Sequence, residues 1–412
     1  MQQCVRAFRG ERRIGFVQVV PILYYSRAMK ESEALSKNEL DALAADVKRL
    51  SNMLTKEREA LSGAYLKDAG LRKAYLLYFL PANLLKIHVP LGELSLHPGN
   101  IFGKKRLRVL DIGSGPGTAV LGVLAFFAKR GPGPFLEFTA VDHVAENLRE
   151  AEALFREHRA DCGVEASLRT VKSGMEGMAA HLSGEYDVIL LSNALNELFH
   201  GDPERIERRT ELLKDVLDRR LGPDGSAVII EPALRETSRE LLEVGCLLSG
   251  AGFTFYAPCP PAGLCAALEN PRDWHHEEVP WDPPVLIREI DKRIGLRKDA
   301  LKFAYLVLRK DGLSLADVFG ADFRRVVSEP LVSKGKTEFF LCGGDGRRLV
   351  VRLDKDKTAS NEAFGDLRRG DIVRFEGLID EGKRYKVGRE TKAAVVFKRR
   401  GLPAPFAPGP SA

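Results

Sequence analysis

The sequence predicts an α/β protein: a doubly wound parallel sheet, preceded by a helical domain and followed by a β-rich appendage. Three observations predict it. Residues 36–100 carry apolar residues at helical spacing. From Arg106 onward, short β-branched runs alternate with helical stretches. Beyond Gly320 the helical period fades into strand-like runs separated by turns.

The 412 residues imply two or three domains at about 150 residues each. Hydrophobic residues at 44% and charged residues at 29% exclude wholesale disorder. The 63 Lys and Arg against 57 Asp and Glu leave a net charge of +6, which permits a polyanionic partner without demanding one. Six scattered cysteines do not form the framework of a secreted disulfide protein. The longest apolar stretches, Thr118 to Ala128 and Ile14 to Tyr25, fall short of the roughly 20 residues that span a bilayer, so no membrane association is expected. The second stretch follows Arg6, Arg9, Arg12 and Arg13, but Gln18, Pro21 and the want of a small-residue cleavage site argue against a secretory leader. Residues 1–35 are left unassigned, and a cytoplasmic protein is expected.

In the helical domain, Ser36-Lys37-Asn38-Glu39 has the form of a capping box, and Leu40, Leu43, Val47, Leu50 and Leu54 form one stripe. A second segment, Ala74 to Leu80, is expected to stop at Pro81, which opens the next helix. The sheet, within residues 101–310, is read from Arg108 to Ile112, Phe138 to Asp142, Tyr186 to Leu191 and Ala227 to Ile230, with Phe253 to Tyr256 and Lys302 to Leu308 as later strands. Connections of crossover length join the first four. In the appendage, residues 320–400, strands are expected at Glu338 to Leu341, Arg348 to Leu353, Asp371 to Phe375 and Ala393 to Phe397, forming a barrel-like unit. Residues 401–412, with four prolines, are expected to be disordered.

The strongest local signal is Asp111-Ile112-Gly113-Ser114-Gly115-Pro116-Gly117-Thr118, where the first strand meets a helix. A dinucleotide loop requires glycine where this chain has Thr118. Asp-x-Gly-x-Gly-x-Gly instead resembles the first motif of class I S-adenosylmethionine-dependent methyltransferases, which implies cofactor contacts from Asp111, Gly113, Gly115 and Gly117. Asp142, ending the second strand, stands where that superfamily keeps an acid for the ribose, because a carboxylate accepts two hydrogen bonds from a vicinal diol. Ser192, Asn193 and Asn196 follow the third run, at the strand ends where open α/β sheets bind ligands. They are candidates to line the pocket, though Asn193 or Asn196 reads equally as a helix cap. No general base or nucleophile is evident.

Cys259-Pro260-Pro261-Ala262-Gly263-Leu264-Cys265 precedes Asp273-Trp274-His275-His276, and Cys342 comes later. Thiols on a Pro/Gly loop near imidazoles suit a metal site within residues 257–285, although buried inert thiols and surface histidines read the same way. The spacing between Cys259 and Cys265 exceeds the gap of about two to four residues usual in zinc ribbons, which favours iron–sulfur. The glycine loop, the Ser192 to Leu198 stretch and this block, in that order, resemble the ribosomal small-subunit methyltransferase-like family known from mitochondria and shared with bacteria. The segment Gly63 to Pro81 also fits that family's helical part.

The resemblance implies a methyltransferase fold, a four-cysteine 4Fe–4S cluster and a role in small-subunit assembly. It makes Cys259, Cys265 and Cys342 cluster ligands. The family's fourth cysteine falls on His275, and His276 matches the family's own histidine. Either His275 ligates, with zinc in a three-Cys, one-His site as the rival, or the site is altered. Arg324, Arg325, Lys334, Lys336, Arg347, Arg348, Arg352, Arg368, Arg369 and Lys398 to Arg400 suggest an appendage face for an RNA backbone, although interleaved aspartates also read as solvated charge. The expected partner is the small ribosomal subunit or its rRNA, not DNA, and the expected state a monomer. The competing roles are a non-catalytic iron–sulfur assembly factor that binds rRNA, and a methyltransferase for a protein or small molecule. A radical mechanism is disfavoured, since the thiols form no Cys-x3-Cys-x2-Cys triad.

Overall fold

A computed structural model describes residues 35–55, 65–258 and 265–399. The readings for residues 1–34, for Gly63 and Ala64, for Cys259 to Leu264 and for residues 400–412 lie outside that range.

The chain opens with α1 (Lys37–Thr55), whose predicted capping box forms: the Glu39 carboxylate accepts from Ser36 N at 2.8 Å, and Ser36 Oγ accepts from Glu39 N at 3.4 Å. Its stripe of Leu43, Val47 and Leu50 is buried. Next come α2 (Ala69–Ala74), capped by Asp68, a π-helical turn over Tyr75–Phe79, α3 (Leu80–Leu84) and α4 (His88–Leu94). Pro81 falls in the first turn of α3, as its missing N–H predicts, and the expected break takes the form of a π-helical turn rather than a gap. Pro81 has no N–H and would press on the Leu77 carbonyl four residues back in a regular helix. The wider turn just before it, where Leu80 N–H reaches Tyr75 O, relieves that clash and lets the helix run through.

The sheet follows as β1 (Arg106–Ile112), α5 (Thr118–Arg130), β2 (Phe135–Asp142), α6 (Ala145–Cys162), β3 (Ala166–Lys172), β4 (Tyr186–Ser192), α7 (Arg205–Arg220), β5 (Leu221–Pro232) and α8 (Arg235–Gly250). Then come β6 (Thr254–Ala257), α9 (Ala266–Glu269), β7 (Glu277–Pro280), α10 (Val285–Ile294) and β8 (Ala300–Arg309). The order is β3-β2-β1-β4-β5-β8-β6, with β7 also paired to β8. Strands β3 through β5 are parallel, and β8 runs antiparallel between β5 and β6. The sheet is therefore mixed rather than wholly parallel. Alternate residues feed two cores: Val109, Leu190 and Ile230 pack toward α1, α5 and α10, and Leu110, Ile189 and Ile229 toward α7 and α8.

After α11 (Leu315–Phe319), the appendage contains β9 (Arg324–Val326), β10 (Leu331–Ser333), β11 (Lys336–Gly343), β12 (Gly346–Leu353), β13 (Ile372–Glu376), β14 (Ile379–Asp380), β15 (Arg384–Val387) and β16 (Lys392–Phe397). They pair as β14-β15-β12-β11-β9-β13-β16, with β10 also paired to β11, around Phe339, Leu341, Val350 and Phe364. β14 and β16 remain edges, so the pairing is an open sheet rather than a closed barrel. Among the described residues no helix is long and apolar enough to cross a membrane.

Candidate functional site

The glycine loop leaves β1 and enters α5 under the helical segment. Gly113, Gly115 and Gly117 have φ of 66°, 52° and 80°, the left-handed region that favours glycine. A Cβ on Gly113 would lie 2.6 Å from the Ala194 Cβ, whereas one on Gly115 would meet nothing within 4 Å. Gly115 thus presents bare backbone to open space.

That space is a cavity of about 560 Å³ across the carboxyl ends of the strands. Its wall includes Asp111, Gly113, Gly115, Asp142, Ser192, Asn193 and Asn196. Gly117 caps α5 instead of lining it. The helical segment supplies the roof through Tyr65, Tyr75, Phe79, Asn83 and Lys86. The Tyr75 hydroxyl lies 3.0 Å from Thr118 Oγ1 and fastens roof to loop.

Asp142 is buried and more heavily engaged than an acid reserved for hydroxyls. Its carboxylate accepts from Gly115 N at 2.9 Å, Val144 N at 2.8 Å and Asn147 Nδ2 at 3.2 Å. It pins the loop, and its oxygens keep lone pairs to spare. No hydrogen bond of good geometry reaches either oxygen of buried Asp111, although the Val120 amide points its dipole at the carboxyl. Burial and then the Asp142 charge push the Asp111 carboxyl up to about 7, against a lowering from the Val120 amide. A backbone cradle, a buried acid that favours a cation, and a second carboxylate for hydroxyls suit a positively charged nucleoside.

Sequence reasoning missed Glu231, because the predicted strand stopped at Ile230. Its Oε1 accepts from Leu195 N at 3.1 Å, and burial pushes it up to about 8 against a lowering from hydrogen bonds of Asn196. Asn193, at φ 55°, turns the chain after β4 while its amide bonds the Ile230 carbonyl at 2.8 Å. Lys86 and Lys298 were also missed, since an isolated lysine carries no sequence signal.

A second cavity, about 210 Å³, lies where the appendage meets the sheet domain. Cys265, His275 and Cys342 all line it, with His276, Arg325, Arg347 and Arg369. Cys342 stands on β11 between Arg325 of β9 and Arg347 of β12. Burial, with Cys265 nearby, pushes the Cys342 thiol up to about 11, and desolvation pushes His275 down to about 4, the neutral form that ligates metals. No group of three or more His, Cys, Asp or Glu among the described residues is arranged to hold a metal ion. The donor types suit a metal, but the set within range is incomplete. The expected insertion is not wholly extra to the sheet either, since β7 pairs with β8.

The expected basic face is divided: Lys334, Arg347, Arg368 and Lys398 are exposed, and the other described members are half-buried or buried. Arg325 and Arg352 are buried, Arg325 bonding Glu93 and Arg352 the Asn361 carbonyl. Arg324, Lys336, Arg347, Arg369 and Arg399 pair with Asp345, Glu338, Asp273, Glu278 and Glu277. The interleaved carboxylates neutralise this surface.

Parallel strands in the order β3-β2-β1-β4-β5, an antiparallel β8 wedged beside β5, and a three-glycine loop after β1 define the Rossmann-like α/β fold of class I methyltransferases. Within that class, the chain belongs to the family described as "Mitochondrial small ribosomal subunit Rsm22", whose family model matches residues 44–392. No curated protein matches it.

Similar solved structures include a Listeria monocytogenes protein assigned to the class I S-adenosylmethionine-dependent methyltransferases (14% identity, 70% of this chain, 87% of that chain, TM-score 0.37). Others are an rRNA methylase of Streptococcus thermophilus (14%, 53%, 94%, 0.28) and fibrillarin of Aeropyrum pernix with bound S-adenosyl-L-methionine (12%, 55%, 76%, 0.30). At these scores the likenesses add nothing to the strand order.

Proposed function

We propose that the chain is an S-adenosylmethionine-dependent methyltransferase acting on the small ribosomal subunit, with rRNA as the methyl acceptor. One observation carries this reading. The glycine loop, Asp111 and Asp142 share one cavity in a chain matched over residues 44–392 by a small-subunit family. Gly115 would admit the cofactor against bare backbone, Asp142 would accept from the ribose hydroxyls, and Asp111 would favour its cationic end. Bound there, the cofactor supplies an activated methyl group. Ser192, Asn193 and Asn196 would position the acceptor, and alignment supplies much of the rate without a dedicated base.

Calorimetry with S-adenosylhomocysteine tests the cofactor site. Asp142→Ala is expected to weaken binding about tenfold or more, because a ribose acceptor and the pin on Gly115 are lost together. Unchanged affinity would remove Asp142 from the site. Tritiated methyl transfer to isolated small subunits tests the reaction. Label in rRNA upholds it, whereas stable binding without label makes the protein a non-catalytic assembly factor.

We also propose that Cys259, Cys265, His275 and Cys342 hold a 4Fe–4S cluster. Support comes from three of these lining one cavity whose arginines offset thiolate charge. Bound, the cluster supplies a redox-active cross-link between the 257–285 segment and β11. Anaerobically purified protein is expected to be brown, with about four iron and four sulfide per chain. Colourless protein with one zinc per chain would replace the cluster by zinc, and metal-free protein would remove the site.

A further inference from the structure

The first cavity is charged unevenly. Its carboxylates Asp111, Asp142 and Glu197 stand on β1, on β2 and just after β4, whereas Lys298 and Lys302 lie at the start of β8, on the far side of β5. Lys86 reaches the same end from the roof, close enough to Lys298 for the two charges to repel.

Lys302 is satisfied by Glu278 at 2.9 Å. The other two lysines are not. Among the described residues the Lys86 ammonium has no hydrogen bond or ion pair. Lys298 Nζ faces only the rings of Tyr78 and Phe79, at 4.3 and 5.0 Å. Asp291, the acid near Lys298, is engaged by the Tyr78 hydroxyl at 2.5 Å and the Lys298 amide at 2.7 Å. Glu231 is the acid near Lys86, and its raised value of about 8 leaves it mostly neutral at pH 7.

Two half-buried ammonium groups that repel each other in one cavity wall, neither in an ion pair with a carboxylate, are costly to hold together, and an anion between them would offset that cost. We propose that Lys86 and Lys298 form an anion subsite for a backbone phosphodiester of the methyl acceptor, so that the acceptor enters from the β5–β8 side as a nucleotide within a polyanionic strand. The assignment rests on the cavity being the methyl-transfer site. Lysine suits the task as a compact charge with rotatable donors. Burial pushes Lys86 down to about 7, helped by Lys298, and Lys298 down to about 8, so a bound phosphate draws protons onto both.

The cofactor's own carboxylate offers the same anionic oxygens, and the test separates the two sources. Full-length wild type, Lys86→Met, Lys298→Met and Lys298→Arg are titrated with S-adenosylhomocysteine, with a single-stranded oligoribonucleotide, and with the same oligomer carrying uncharged methylphosphonate linkages. Each Met variant removes a desolvated charge and is expected to melt no lower than wild type. If one variant misfolds, the other still reads the site.

Each Met variant is expected to bind the oligoribonucleotide about three- to tenfold more weakly and to flatten the slope of log K against log salt by about 0.7. Lys298→Arg should keep most of the affinity, the methylphosphonate oligomer should not distinguish the proteins, and S-adenosylhomocysteine binding should not change. Wild-type RNA affinity and slope in both Met variants would overturn the subsite. Loss of S-adenosylhomocysteine binding alone would overturn it too, giving the lysines to the cofactor carboxylate. Wild type that binds RNA but no S-adenosylhomocysteine removes the methyltransferase reading and leaves the lysine test standing, whereas wild type that binds no RNA overturns the subsite.

Discussion

Glu93→Ala is expected to lower the unfolding free energy by about 3–5 kcal/mol, the loss typical when one member of a buried charge network is removed. Glu93, 1% exposed, joins all three parts of the chain. From α4 its carboxylate accepts from Arg325 Nη1 of β9 at 2.7 Å, from Arg399 Nη2 at 3.2 Å and from the Tyr305 hydroxyl of β8 at 2.8 Å. Its carbonyl accepts from the Tyr256 hydroxyl at 3.1 Å. Alanine would leave Arg325 only the Pro258 carbonyl and Arg399 only Glu277. Urea unfolding followed by Trp274 and Trp281 fluorescence reads the cost, and hydrogen exchange across β9 to β16 reads whether the appendage loosens first. A wild-type midpoint in Glu93→Ala would show that apolar packing alone joins the parts.

Glu231→Gln is expected to abolish a pH dependence of stability worth about 5 kcal/mol. In the folded chain the carboxyl stands near 8, against an ordinary 4.5. Its contribution is therefore complete below about pH 4.5 and is lost as pH rises through 8. Glutamine imitates the protonated acid and keeps the acceptor for Leu195 N. Wild type and variant should thus unfold alike at pH 5, and the variant should be the more stable at pH 9. Asp111 titrates over part of the same range in both proteins, so the difference between them isolates Glu231. Parallel stability profiles would mean that Glu231 is charged throughout.

Much of the sheet was legible because strands buried on both faces write continuous apolar runs, such as Val109-Leu110 and Val188 to Leu191. β3 was not, since an edge strand alternates exposed Ser167 and Arg169 with its inward residues. β9, β10 and β14, with two or three residues each, are too short to show a period. The glycine loop stood out because its residues are contiguous and their backbone angles restrict them to glycine. The roof of the cavity did not: Tyr75, Asn83 and Lys86 come together with Lys298 only through tertiary folding. The burial of Arg325 and Arg352 was equally hidden, because composition counts charges without saying which partners they meet.

The helical roof has a consequence for synthesis. α1 buries Leu43 and Val47 against a core that includes Leu286 and Ile290 of α10, and Asp41 bonds Arg293, 252 residues further on. At translation rates of about 5–20 residues per second, that apolar stripe waits about 10–50 s for its partner. Throughout that interval the nascent polypeptide displays an unpaired sticky surface on α1.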